Sequence, residues 1–400
     1  MALGVKAQYA DSVTQTRSVI PEFDLLNWKT FPLLKLLTGG SEDKPSLNNL
    51  SQACEVVKYE WMEKKDQPVS GTLLDAIAST TATTVRYRTT GDASVTDSDV
   101  LFASEINEGT VVQIDSELLW VSANDTTNKQ LTVQRGYAGT TAATHSALVK
   151  IHLATRAHRE TAAAPTPRQL IPTLQYNYVQ QFVDSFALTE IEQAVKRYGV
   201  TNAIEIETAD RMRALMVAMS MSMFRGRRGE GTASNAASMG GFKQYMTSVA
   251  AGGSPTALTA ALVLNQMQAC YDVGGMDTTP DTIVCNSFQR RKLTSEFSTT
   301  SGNVTTYRTQ EERRAGVRVD VIVTDFGDID ILLDPWCPTD EMYLVKRDLI
   351  GIGPLKGKQL VRTMLAKTGP QDQWMIHGAY TMEVRKGAAA HRVVTNLTTS

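Results

Sequence analysis

The chain has 400 residues and a mass of 43.8 kDa, and 42% of its residues are hydrophobic, which is enough for two to four structural units because domains usually run to ~100 to 200 residues. The 40 Lys and Arg against 42 Asp and Glu leave a formal net charge of −2, which excludes the uniform positive field of a general nucleic-acid binder and confines such contacts to local patches. No stretch approaches ~18 uninterrupted apolar residues, and the first residues are polar where a secretory signal has its apolar core, so a soluble, unexported chain without a membrane span is expected.

Met1 to Leu50 mixes short apolar clusters, with Phe23, Leu25, Leu26 and Trp28 in one and Phe31, Leu33, Leu34, Leu36 and Leu37 in the next. Pro21, Pro32, Pro45 and the Gly39-Gly40 pair interrupt them. Breakers that frequent prevent a long helix, and apolar clusters without a core of their own pack on something else. The segment reads as an arm. From Val56 to Pro68 the residue types alternate, with Tyr59 and Trp61 on one side, before the turn Pro68-Val69-Ser70-Gly71. That pattern predicts a strand with one face open to water.

Between Phe102 and Ile151 the segments VVQID, ELLWVS, QLTVQRGY and ALVKI predict four or more short strands. They suggest a small β-sandwich or barrel-like module inserted into the surrounding element. The Ala and Pro stretch after Thr161 predicts extended backbone. A helix over Asn202 to Phe224 follows from Ile204, Met212, Leu215, Met216, Met219 and Met223, which recur at spacings of three, four and seven. Gly226 and Gly229 close it, and Arg225, Arg227 and Arg228 stand where cations suit the negative end of a helix dipole. The small, polar loop GEGTASNAASMGG comes next.

Thr256 to Cys270 predicts another helix, Asp281 to Cys285 a buried strand, and a further helix begins near Asn286. This is an α/β layer. Val317, Val319, Val321 and Val323 face one way, the chain turns at Asp325-Phe326-Gly327-Asp328, and Ile329, Ile331 and Leu333 repeat the pattern. Asp328 and Asp330 are expected on the solvent side of that hairpin. Tyr380, Met382 and Val384 predict a strand close to the C-terminus.

Catalytic chemistry finds no foothold. Asp325-Phe326-Gly327 matches the magnesium-binding triplet of kinases, but the Gly-rich loop, strand lysine and HRD loop are missing, so a tight turn is expected. The five histidines, His145, His152, His158, His377 and His391, show no helical zinc spacing. Cys54, Cys270, Cys285 and Cys337 are far apart without CxxC and are expected to be buried free thiols. No nucleophile elbow, P-loop or dinucleotide fingerprint is found. The reading is of a protein that is not an enzyme, with no catalytic residue, cofactor or metal.

With those residues in view, the order of arm, long β excursion with an inserted module, long helix, α/β unit and returning strands resembles the major capsid proteins of tailed phages with the Hong Kong 97-type fold. RGRRGEGTASNAASMGG after the helix and YTMEVRKGAAAHRVVTNLT near the C-terminus carry the likeness, as does the insertion VVQIDSELLWVS with LTVQRGYAGTTAATHSA. The resemblance covers most of Val56 to Thr399. It implies an α+β fold with an N-terminal arm at 1–50 and an extended loop at 51–176 carrying the β module at about 80–155. It also implies a peripheral domain with a spine helix at 177–240 and 358–400, and an axial domain at 241–357.

It further implies self-assembly into hexamers and pentamers of an icosahedral shell around double-stranded DNA. Scaffolding, portal and decoration proteins would be further partners, packaged DNA would be touched weakly, and no membrane would be involved. The protein would reside in the head shell after synthesis in the host bacterial cytoplasm. Phe23, Leu26, Trp28, Tyr59 and Trp61, together with Arg225, Arg227 and Arg228, are the expected subunit-contact residues. The alternative is another phage structural protein, of tail or decoration type, that shares the β insertion.

Overall fold

Pro32 has its φ preset for a helix and no N–H to leave unsatisfied, and it starts α1 (Pro32–Thr38) in the computed structural model of the chain. The structure describes residues 30–39, 47–64, 69–89, 92, 99, 102–103, 105–160, 162, 164, 172–195, 203–299, 307–314, 317–367 and 369–399. Two units divide it, a body formed by Met1–Trp61 with Gln175–Ser400 and an inserted unit formed by Met62–Leu174. Strand β1 (Lys58–Glu63) pairs with β8 (Thr173–Tyr178) in a two-stranded sheet.

The inserted unit is one six-stranded sheet. Its strands are β2 (Ser70–Thr72), β3 (Thr84–Arg86), β4 (Thr110–Ile114), β5 (Glu117–Asp125), β6 (Gln130–Gln134) and β7 (Lys150–Arg156), in the order β2-β7-β4-β5-β6-β3. The four longer strands lie where alternation predicts them, because each has one face on a core of Leu73, Tyr87, Phe102, Ile106, Val112, Leu119 and Leu131. β2 and β3 have three residues each, too few to show a period. β2 and Leu73 carry the sheet and its core to positions before residue 80.

In the body, β9 (Gln180–Thr189) lies along the long strand β18 (Gln371–Val384), which also pairs with β16 (Ile350–Pro354) and β17 (Val361–Met364). Helix α2 (Ala203–Arg225) spans 23 residues, and at ~1.5 Å per residue it is roughly 34 Å long. Its Leu215, Met216, Met219 and Met223 share a core with Phe182, Phe186, Trp374 and Tyr380. The methionine stripe is therefore packing.

A seven-stranded sheet completes the body. Its order is β10-β19-β15-β11-β14-β13-β12. The strands are β10 (Thr247–Ala250), β11 (Thr282–Cys285), β12 (Tyr307–Arg314), β13 (Val317–Thr324), β14 (Gly327–Leu333), β15 (Met342–Val345) and β19 (Arg392–Thr395). Helices α3 (Ala260–Gly274) and α4 (Ser287–Thr299) cover one face through Val263, Met267, Leu293 and Phe297. The other face presents Val284, Leu332, Tyr343 and Val393 to the core that holds α1 and α2.

Coverage of both faces changes two expectations. Ile322 and Leu332, which alternation turns outward, are buried, whereas Val323 and Leu333 are exposed. Asp330 is not on a solvent face: it is 1% exposed, and Arg347 reaches it at 3.2 Å while lying 3.4 Å from Asp281. A strand between two others, covered above and below, buries both of its sides. β16, placed by the resemblance in the axial segment, pairs with β18, and β19, placed in the peripheral one, enters the seven-stranded sheet.

Candidate subunit interface

Alternation in β1 turns Tyr59 and Trp61 to one side, and the structure shows what covers them. The Trp61 ring lies 5.5 Å from the Tyr245 ring and Tyr59 lies 6.2 Å from Trp61, in a cluster with Cys54 and Val179. Tyr59 donates its hydroxyl to Glu383 at 3.2 Å. Burial, with the Glu383 carboxylate beside it, pushes that hydroxyl up to about 12. The expectation that both rings stand open for a neighbouring copy is corrected: they are 7% and 8% exposed within their own chain. The exposed apolar residues just before them are Val56 and Val57.

The segment leading to β1 runs against β16. Asn49 donates its N–H to the Ile352 carbonyl at 2.7 Å. A Cβ at Gly351 would stand 2.5 Å from the Asn49 carbonyl oxygen, so only glycine permits this approach.

At the other end of α2 the three arginines separate. Gly226 lets the chain leave the helix sharply, since a Cβ there would stand 2.3 Å from the Ser222 oxygen and 2.5 Å from that of Met239. Arg228 then folds inward. Its guanidinium lies 3.8 Å from the centre of the Tyr176 ring, and Nη1 donates to the Tyr176 carbonyl at 3.0 Å. Lys58 approaches the same ring at 4.3 Å, so Tyr176 serves two cations through its electron-rich π system. Arg228 is thus an intrachain clasp, whereas Arg225 and Arg227 are exposed. The polar loop beyond them is built on Thr232, whose hydroxyl accepts the N–H groups of Ser234 and Asn235.

Phe23, Leu26 and Trp28 lie outside the described residues. The next apolar cluster does not lack a core. Phe31, Leu33, Leu34, Leu36 and Leu37 are all buried in the core of the body, and Phe31 stacks on Trp336 at 6.0 Å. The Trp336 indole N–H donates to the Thr30 carbonyl, and the Leu33 N–H to Asp334. Burial pushes the Asp334 carboxyl up to about 6, against the lowering effect of the Trp336 and Leu33 N–H groups. The reading of all of Met1 to Leu50 as an arm is therefore corrected for Phe31 to Leu37, which pack on β16 and on β13 and β14 of the seven-stranded sheet.

Sequence reasoning missed one polar centre entirely. In the inserted unit Glu117 accepts two hydrogen bonds from Arg135, at 2.7 Å each, and the N–H groups of Gly136 and Ala143. His145 bridges it to Asp115, at 3.0 and 2.7 Å. Burial raises the Glu117 carboxyl, but its donors outweigh that and hold it at about 2. No local spacing links residues 18 and 28 positions apart. The only trace in the sequence is an acidic residue, Glu117, directly before the apolar run of β5. The cluster ties loops together, and among the described residues no group of His, Cys, Asp or Glu is arranged to hold a metal ion. All four cysteines are buried free thiols, and no described helix is long and apolar enough to cross a membrane.

A mixed helix-and-strand body whose buried polar groups fasten segments together, and which leaves Val183, Val361 and Met364 exposed on one sheet, has the make-up of a structural protein with interaction surfaces. The chain belongs to the SU10 major capsid protein family, whose family model matches residues 6–398. It is a phage capsid protein, and its copies associate to form the shell of the phage head. The α+β fold and the resemblance to Hong Kong 97-type capsid proteins accord with that membership. Comparison with curated proteins finds no match. Solved structures that align with the chain include one described as Mycobacterium phage Patience, at 11% identity over 62% of this chain and 77% of that one, with a TM-score of 0.44. Another is the cyanophage A-1(L) capsid asymmetric unit, at 13% identity over 62% and 85%, also with a TM-score of 0.44. The capsid of Myoviridae phage XM1 aligns at 12% identity over 61% and 81%, with a TM-score of 0.41.

Proposed function

We propose that the protein works by assembly alone, without turnover, as hexamers and pentamers of an icosahedral shell that holds double-stranded DNA. The single observation that carries this is the capsid family match across residues 6–398. In this reading the inserted unit is the tip of an extended loop, α2 is the spine of the peripheral layer, and the seven-stranded sheet with α3 and α4 is the axial layer. The near-neutral charge suits it, because strongly like-charged subunits would repel and a strongly basic lining would hold the genome tightly. DNA contact is then weak and non-specific. Scaffolding, portal and decoration proteins are its further partners, and synthesis takes place in the host cytoplasm before the protein joins the virion.

The subunit contacts fall on what the folded chain leaves open. Arg225, Arg227, Val56 and Val57 qualify, with the residues before Thr30, including Phe23, Leu26 and Trp28, reaching a neighbour. Tyr59, Trp61 and Arg228 support that surface from within. Expression of the full chain followed by size-exclusion chromatography and negative-stain microscopy tests the reading. Closed particles tens of nanometres across are expected, and a protein that stays monomeric with and without scaffolding protein would sink it.

A further inference from the structure

The end of the seven-stranded sheet where α3 finishes carries an apolar patch beside unpaired carboxylates. Tyr271 and Val273 end α3, Met276 follows, and the Tyr271 ring lies 5.7 Å from that of Phe326 in the β13–β14 turn. Tyr271, Val273 and Met276 are 43%, 57% and 60% exposed. Lys346 steadies Met276 by donating Nζ to its carbonyl. Asp272, Asp277, Asp325 and Asp328 each adjoin one of these residues or the turn, and all four are exposed. None of them pairs with a cation among the described residues.

Apolar surface of this kind marks a contact site, and its charge restricts the partner. A two-fold contact of the patch with itself would bring both carboxylate sets face to face, and like charges across an interface are strongly disfavoured. The receiving surface must be cationic and must lie elsewhere on the partner. Helix α4 offers one. It leaves the sheet after Cys285, which is in register with Leu333 at the far end of β14, and it carries Arg291, which is exposed, and Lys292, which is half-buried. β14 has seven residues, so at ~3.3 Å each the acidic end and the start of α4 stand roughly 20 Å apart.

We propose that the acidic, apolar end of α3 and the β13–β14 turn in one copy docks on Arg291 and Lys292 of α4 in a second copy, head to tail. The inference rests on the chain being a self-associating capsid protein. A contact between two different patches repeats around a rotation axis and closes as a ring, as a capsomer requires. Charge complementarity sets its register, and the tyrosine and methionine supply the apolar anchor.

Charge exchange tests it, with shell yield read by sedimentation and negative-stain microscopy. Wild-type protein assembled in parallel carries the capsid reading by itself, so its failure is distinct from failure of this contact. Asp325→Lys with Asp328→Lys is expected to lower shell yield roughly tenfold or more at low salt. Arg291→Glu with Lys292→Glu is expected to do the same, and the protein bearing all four substitutions to recover assembly. Nearly unchanged melting temperatures are expected for the Asp325 and Asp328 variants, whose side chains are exposed, and a small shift at most where half-buried Lys292 is replaced. Asp325→Asn with Asp328→Asn, which adds no repulsion, serves as a second variant and is expected to weaken assembly by a smaller factor. Normal yield from either charge-reversed pair, or no recovery when the pairs are combined, overturns the proposal.

Discussion

Leu33 and Asp334 are 301 residues apart in the chain, and the Leu33 N–H donates to Asp334 Oδ2 at 3.3 Å. The same carboxylate accepts the Trp336 N–H at 2.8 Å. Two distant segments of the polypeptide are joined at a buried acid that needs such donors to be tolerated at all. Truncation should show which part of the N-terminal segment belongs to the fold. Removing residues 1–29 is expected to leave the melting temperature nearly unchanged while reducing shell formation. Removing residues 1–38 takes Phe31, Leu33, Leu34, Leu36 and Leu37 from the core and is expected to cost several kcal/mol, since each large buried side chain lost costs ~2–5 kcal/mol. Equal stability of the two truncated proteins in a denaturant titration would contradict the burial of α1.

Asp334 and His391 should give opposing pH dependences. Asp334 is held up to about 6 by burial, so its contribution to stability is complete below the ordinary value of 3.8 and is lost as pH rises through about 6. Burial pushes His391 down to about 4, and the neutral ring fits its contacts, because Nδ1 accepts the Lys346 N–H and Nε2 faces the Arg385 carbonyl. Its contribution is present above the ordinary 6.5 and is lost as pH falls through that value toward about 4. The windows overlap with opposite slopes. Asp334→Asn should therefore make stability rise with pH between 4 and 6.5, and His391→Gln should make it fall. Parallel curves for wild type and both variants would refute the assignment.

In the inserted unit, Arg135→Ala leaves Glu117 buried with its main partner gone. Breaking such a pair costs ~3–5 kcal/mol, and the loss should be confined to the melting of residues 62–174. Glu117 is held at about 2 by its donors against the effect of burial. Its contribution is therefore present above the ordinary 4.5 and is lost as pH falls from there toward 2. Acid melting of the inserted unit over that range, absent in Glu117→Gln, is the expected signature in hydrogen exchange.

Trp61→Ala is expected to destabilise the unassembled chain by ~3–5 kcal/mol, the usual cost of removing a buried tryptophan. The ring is 8% exposed and packs on Tyr245. If the subunit melts unchanged and only assembly weakens, Trp61 is an interface anchor after all.

Much of the fold was legible because its signals are local. The strands of the inserted unit keep period two, since one face of each meets a core and the other meets water. The period of α2 appears in the spacing of Leu215, Met219 and Met223 for the same reason. Where both faces are covered the signal fails, as at Asp330, because nothing in its neighbours shows that a helix layer lies on either side. The candidate site fared less well. Tyr59 and Trp61 are correctly placed on one side of a strand, but their cover comes from Tyr245, far along the chain.

Read alone, the residues specify where strands and helices form, where the chain turns, and that the protein resembles a capsid subunit, because periodicity, breakers and motif order are written in neighbouring positions. Only the tertiary structure decides which apolar residues are left over for another copy. Exposure is what remains after distant segments have covered each other: α1 is enclosed, Trp61 is capped, Arg228 is drawn onto Tyr176, and Arg225, Arg227 and the Tyr271 patch are not.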